Sequence, residues 1–163
     1  MQTMDTGGKK ASDSILTMTE LVLPNHTNQL GNLLGGQLMH WIDICAAMSA
    51  AKHTNRVCVT ASVDRIDFHH PIRLGDAVTL TACVNRAFNT SLEVGVEVFA
   101  ESFRKGIRVH TNSAYLTFVS VDDDARPVAA VKVIPETEDE IRRYNEALQR
   151  RDHRLKTRNL NSI

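Results

Sequence analysis

Two hydrophobic rhythms divide the chain. Over residues 35–52, Leu38, Met39, Trp41, Ile42, Ile44, Cys45, Met48 and a run of alanines put apolar groups on nearly every face of a helix. That pattern predicts a helix enclosed by protein rather than one lying on a surface, and the alanines allow its neighbours to approach closely. After it the period changes. Val78, Leu80, Ala82 and Val84 alternate with Thr79, Thr81 and Cys83, and Leu92, Val94, Val96 and Val98 alternate with Glu93, Gly95 and Glu97. Alternation of this kind predicts antiparallel strands with one wet face. Residues 57–68, rich in Val, Thr and Ile, and residues 109–121 predict two more strands. Residues 15–23 form a short β-prone run that Pro24 closes. Pro71 and Gly75-Asp76 punctuate a turn, and Lys105-Gly106 reads as a tight hairpin. Near the C-terminus Ile141, Tyr144, Leu148 and Leu155 make a narrow apolar stripe on a charged helix.

One buried helix followed by about four long strands, with a short one before, predicts an α+β fold. A curved antiparallel sheet of about five strands wraps a central helix in meander-like order, with a second helix at the C-terminus. A single such layer leaves a sheet edge and an outer face uncovered, so self-association is expected.

Composition narrows the class. The 163 residues suffice for one domain with a real core. Lysine plus arginine equals aspartate plus glutamate at 19 each, so net charge points to no polyanionic partner. The only basic cluster lies on the C-terminal helix and lacks interleaved aromatics, which argues against nucleic acid. The apolar stretches are too short and interrupted to span a bilayer, and residues 1–14 lack the apolar middle of a signal peptide and read as a disordered tail. Cys45, Cys58 and Cys83 are odd in number and far apart; they read as reduced, apolar fillers. A cytoplasmic protein is expected.

Candidate chemistry gathers at residues 26–43. A polar loop with Asn28 and Gly31 runs into Gly35-Gly36 and then directly into the apolar helix, which carries one carboxylate, Asp43. A helix beginning at a glycine pair aims free N–H groups at an anion or polarised oxygen. A carboxylate two turns into an apolar helix is costly unless it is paired or used. The plainer readings are a buried carboxylate held by backbone donors, a turn asparagine and glycines that only permit close packing. His26 reads as a capping group or a base, and His40 lies on the same helical side as Asp43. His69-His70 has no third ligand at useful spacing, so no metal site is expected.

The order Asn28-x-x-Gly31-Asn32-x-x-Gly35-Gly36, then Asp43 on an apolar helix, then Phe68-His69-His70-Pro71-Ile72-x-x-Gly75-Asp76, resembles the hot-dog acyl-CoA thioesterases, in their cytosolic acyl-CoA hydrolase branch. Asn89-Thr90-Ser91-Leu92-Glu93-Val94 fits the same branch, and the resemblance covers roughly residues 15–121. It implies a hot-dog domain over residues 15–135 and a charged helix and tail over residues 136–163. It also implies a dimer, often assembled as a trimer of dimers, with active sites at the dimer interface.

By resemblance Asp43 matches the helix carboxylate and Asn28 the loop asparagine, contributed by opposite subunits. The implied reaction is hydrolysis of acyl-CoA to fatty acid and coenzyme A without a cofactor. Asp43 is then general base or nucleophile, Asn28 orients water or thioester, and the Gly35 and Gly36 N–H groups hold the oxyanion. Thr60 and Ser62, on the strand after the helix, are candidate thioester contacts. Arg86, Arg104, Lys105 and Arg108, near strand ends, together with Asn89, Thr90 and Ser91, are candidate ligands for the coenzyme A phosphates. Two rival readings are a hot-dog hydratase or dehydratase and a non-catalytic acyl-CoA or nucleotide-binding module. The hydratases pair their aspartate with a histidine five residues on, where this chain has Met48.

Overall fold

The computed structural model describes residues 7–160. In chain order the elements are β1 (Lys9–Lys10), β2 (Leu16–Leu21), α1 (Gly35–Thr54), β3 (Val57–Val63), β4 (Ala77–Ala87), β5 (Ser91–Ser102), β6 (Ile107–Val121), β7 (Val133–Ile134) and α2 (Glu138–Leu160). Five strands form one antiparallel sheet in the order β2-β4-β5-β6-β3, and β1 pairs with β7 in a small parallel ladder. Only β4, β5 and β6 follow the expected meander. α1 separates β2 from β3 in sequence, and the two strands end up on opposite edges of the sheet because α1 crosses its concave face between them.

Alternation does the sorting. Leu92, Val94, Val96 and Val98 of β5 are fully buried against α1, as are Leu80, Ala82 and Val84 of β4 and Leu116 and Phe118 of β6. Each large aliphatic group so buried contributes about 1.5–3 kcal/mol. On α1 the buried positions Leu38, Trp41, Ile42, Cys45, Ala46, Ser49, Ala50 and His53 form one stripe at helical spacing. The opposite side is not enclosed as its composition predicts, since Met39, Ile44 and Met48 are exposed in the single chain. The helix ends at Asn55, whose left-handed backbone (φ 54°) lets its N–H return to the Ala51 carbonyl at 2.8 Å.

Two corrections concern elements with little sequence signal. The expectation of disorder through residue 14 fails for residues 9–14. Lys9–Lys10 pairs with β7, and the 3-10 turn Ala11–Ser14 buries Ala11 and Ser14 beneath β4. Ser14 Oγ accepts the Val84 N–H at 2.8 Å, and Ser49 Oγ donates to the Ser14 carbonyl at 2.7 Å. The expectation for residues 1–6 lies outside the described residues. The outer face of the sheet is also covered in part, by α2. Ala147 is fully buried, Arg150 makes a two-pronged bond to the fully buried Glu93 at 2.8 and 3.1 Å, and Arg86 donates to the Tyr144 carbonyl at 3.2 Å.

Candidate active site

The loop ahead of α1 is built by its own polar groups. The Asn28 side-chain carbonyl accepts the N–H groups of Leu30 (2.9 Å) and Asn32 (3.2 Å), and the Asn28 and Gly31 backbones close the turn. Gly31 sits at φ +73°, where an L side chain is strained. With its oxygen committed, Asn28 has only its amide N–H donors to offer a ligand. His26 is a structural cap, because its Nδ1 accepts the Leu23 N–H at 3.1 Å and its ring meets Trp41 edge-on at 5.1 Å.

The chain then enters α1 at Gly35, with Leu34 as the N-cap. The first N–H groups of a helix have no partner inside it, and this N-terminus borders two cavities. Gly36 lines one of about 320 Å³ with Met39, His40, Ile42, Asp43, Thr60, Val63, Ile66 and Leu116. Gly35 lines a second, of about 270 Å³, with Asn28, Asn32, Leu33, Leu38 and residues 68–72. A side chain begun at Gly36 would meet nothing within 4 Å, which leaves the backbone there open to a ligand.

Asp43 is half-buried at the first cavity, and Thr60 Oγ1 donates to its Oδ1 at 2.7 Å. The register of β3 against β6 slips between Thr60 and Ser62, a bulge that interrupts strict alternation beside Asp43. Thr60 therefore lines the Asp43 cavity, whereas Ser62 lines a separate cleft of about 1320 Å³ between the sheet and α2. Sequence position alone offered Thr60 and Ser62 equally. The bulge separates them, and no residue pattern announced it.

The candidate phosphate ligands do not form one cluster in the protomer. Arg86 stacks on Tyr144 (4.0 Å to the ring centroid) and fastens α2. Arg108 lies over Phe99 at 4.5 Å and, with Arg104 and Lys105, belongs to the β5–β6 hairpin. Asn89, Thr90 and Ser91 lie at the far end of β5, where Ser91 borders the α2 cleft. The cysteine thiols are poorly placed for chemistry. Burial pushes Cys45 up to about 11 and also raises Cys58 and Cys83. Among the described residues no three His, Cys, Asp or Glu side chains converge as metal ligands. Met48 lines a cavity with Ala47, Ala51 and Cys58, away from the one holding Asp43.

A carboxylate held by a hydroxyl, an open helix N-terminus and an apolar cavity, all on a helix wrapped by a five-stranded sheet, define a class. The chain belongs to the thioesterase superfamily, with the hot-dog fold, whose family model matches residues 30–107. It is 40% identical over 154 residues to the uncharacterized acyl-CoA thioester hydrolase YkhA of Bacillus subtilis, covering 94% of this chain and 88% of that protein. Its structure is similar to the acyl-CoA hydrolase of Staphylococcus aureus solved with butyryl coenzyme A, coenzyme A and coenzyme A disulfide. The TM-score is 0.86 at 36% identity, covering 94% and 93% of the two chains. Structures of that enzyme also exist for alanine variants of an aspartate, a threonine and an asparagine. A hexameric acyl-CoA thioesterase matches with a TM-score of 0.88 at 39% identity, over 91% and 96% of the chains. Against two longer mouse thioesterases this chain spans 26% and 25% of their lengths.

Proposed function

We propose that this protein hydrolyses acyl-CoA thioesters to a free carboxylic acid and coenzyme A, with Asp43 as general base. The observation that carries the reading is the 2.7 Å bond from Thr60 to Asp43 at a cavity lined by Met39, Ile42, Val63, Ile66 and Leu116. Thr60 occupies Oδ1 and leaves Oδ2 to take the proton of an attacking water. The apolar lining suits an acyl chain. Water adds to the thioester carbonyl carbon, and the negative charge that develops on oxygen is met by the Gly36 N–H, which borders this cavity, with Gly35 beside it at the helix start. When the tetrahedral intermediate collapses, the carbon–sulfur bond breaks and the thiolate regains the proton held by Asp43. Every atom in this reaction comes from substrate, water and the carboxylate, so no cofactor enters.

Asn28 completes the site from a second copy of the chain. In one protomer Asn28 and Asp43 border different cavities, and its free amide donors suit a carbonyl oxygen better than a water proton. The surface that brings two copies together is the edge strand β3, with exposed Val57, Val59 and Val63, beside the exposed Met39, Ile44 and Met48 of α1. Pairing of two such edges removes both liabilities at once, and three such dimers would form a hexamer. The three free cysteines suit a reducing compartment, and among the described residues no helix is long and apolar enough to cross a membrane; the proposal therefore includes a cytoplasmic location.

Thiol release from short, medium and long acyl-CoAs tests the reading. Asp43→Asn, folded and assembled as the wild type, is expected to lose about 10²–10⁴ in kcat, the usual worth of a general base. Wild-type protein that releases no thiol from any of them would overturn the assignment.

A further inference from the structure

We infer that α2 tunes the active site from outside: Arg154, through Asp64, positions the segment of residues 64–72 that walls both cavities. The inference rests on the hydrolase reading of those cavities. Asp64 follows directly on β3, and its backbone N–H bonds to the Tyr115 carbonyl at 2.9 Å. Its two carboxylate oxygens each accept from Arg154 Nη1 at 3.1 Å, and the side chains keep only 24% and 19% exposure. Beyond Asp64 the chain is irregular as far as residue 72. Within it Ile66 lines the Asp43 cavity, the Phe68 ring lies 3.6 Å from where a Gly35 side chain would begin, and His69 to Ile72 line the Asn28 cavity. The far end is tied by the Leu33 N–H to the Ile72 carbonyl at 2.7 Å, and the middle by the Asn112 amide to the Asp67 carbonyl.

Arg154 is a firm post for the near end. α2 is pinned to the sheet one turn earlier by Arg150, whose fork grips the fully buried Glu93, and two turns before that by Tyr144 under Arg86. Arg154 itself lies 3.9 Å from Glu93, so its guanidinium sits between two carboxylates, one on the sheet and one at the root of the segment. An irregular segment with few ties of its own takes its position from its ends, and displacement here moves Ile66 and Phe68 together. Arg154 touches neither cavity, so its role is positioning.

The test uses the full chain with Arg154→Gln and, as an isosteric second variant, Asp64→Asn. Two measurements are made: steady-state thiol release from butyryl- and dodecanoyl-CoA, and hydrogen exchange across the chain. The expected result is a KM raised about three- to tenfold, the worth of one partly buried bond. The ratio of the two substrates' kcat/KM also shifts, and protection is lost at the Asp64 and Leu33 amides, which bond to the Tyr115 and Ile72 carbonyls at the two ends of the segment, with α1 and β5 unchanged. The charge-swapped pair Arg154→Asp with Asp64→Arg recovers part of the KM and of the protection. Equal loss of kcat on both substrates with KM constant would mean a smaller folded fraction and would overturn the inference. Unchanged exchange at the Asp64 and Leu33 amides would overturn it as well. Wild-type protein without thiol release would defeat the hydrolase reading alone, since the exchange result still decides whether Arg154 orders the segment.

Discussion

At the scale of single residues, Thr60 and His53 carry the clearest consequences. Thr60 gives Asp43 its one fixed orientation, through a hydrogen bond to a group that bears charge. Such bonds are worth about 1.5–3 kcal/mol. Thr60→Val is therefore expected to lower kcat by about 10- to 100-fold, with Thr60→Ser close to wild type, in the same thiol-release assay. His53 is fully buried, its Nε2 N–H donating to the Val131 carbonyl at 2.9 Å, while its Nδ1 has no partner. Burial pulls its pKa below the ordinary 6.5, with nearby Lys9 acting the same way and Asp13 opposing. The unfolded chain thus binds a proton at His53 before the folded one does, and stability falls as pH drops through and below about 6.5. Between pH 7 and 5 the wild-type melting temperature should fall more steeply than that of His53→Asn, by up to about 1.4 kcal/mol per pH unit in the underlying free energy. Parallel slopes would assign the acid sensitivity to other groups.

At the scale of elements, the strands and helices with strong period were legible and their attachments were not. The alternation in residues 78–84 and 92–98 marked β4 and β5, and the stripe Ile141, Tyr144, Leu148 marked α2. Nothing in that stripe said which face of the sheet α2 would cover. The answer lies in Glu93, which reads as a solvent-side residue of an alternating strand but is fully buried under Arg150 and bonded by Asn85 Nδ2 at 3.0 Å. Asn85 reaches it because the β4–β5 register slips between Val84 and Arg86, and because Gly95 leaves room: a side chain begun at Gly95 would lie 2.8 Å from Asn85 Nδ2. Gly95→Ala should displace Asn85 and destabilise the protein by about 1.5–3 kcal/mol, read as a lowered denaturation midpoint with the active-site variants' kinetics unaffected. β1 and its partner β7, two residues each, were invisible for a different reason. Elements that short have no period, and they exist only because the rest of the fold brings residues 9–10 beside residues 133–134.

At the scale of the whole molecule, the protomer is half of a proposed site. Chains carrying Asn28→Ala and chains carrying Asp43→Asn, each inactive alone, should recover about a quarter of wild-type activity when co-expressed and assorted at random into dimers. Half of such dimers are mixed, and each mixed dimer keeps one intact site. If the mixture stays as inactive as its parts, both groups act within one protomer. Val59→Arg, on the exposed edge of β3, should shift the protein toward monomer in light scattering and reduce activity in parallel.

Hydrophobic period and glycine placement act locally along the chain, and they were enough to set the class of fold, the central helix and the order of candidate groups from Asn28 to Asp43. Tertiary structure alone decided that Thr60 rather than Ser62 meets Asp43, that Asn28 and Asp43 face different cavities, that Arg86 serves α2 and that Glu93 is buried. The contacts of Thr60, Arg86 and Glu93 depend on a bulge or a packed helix that joins residues 17 to 58 positions apart. Such pairings are set by burying surface and satisfying polar groups over the whole molecule, and no window of sequence contains both partners.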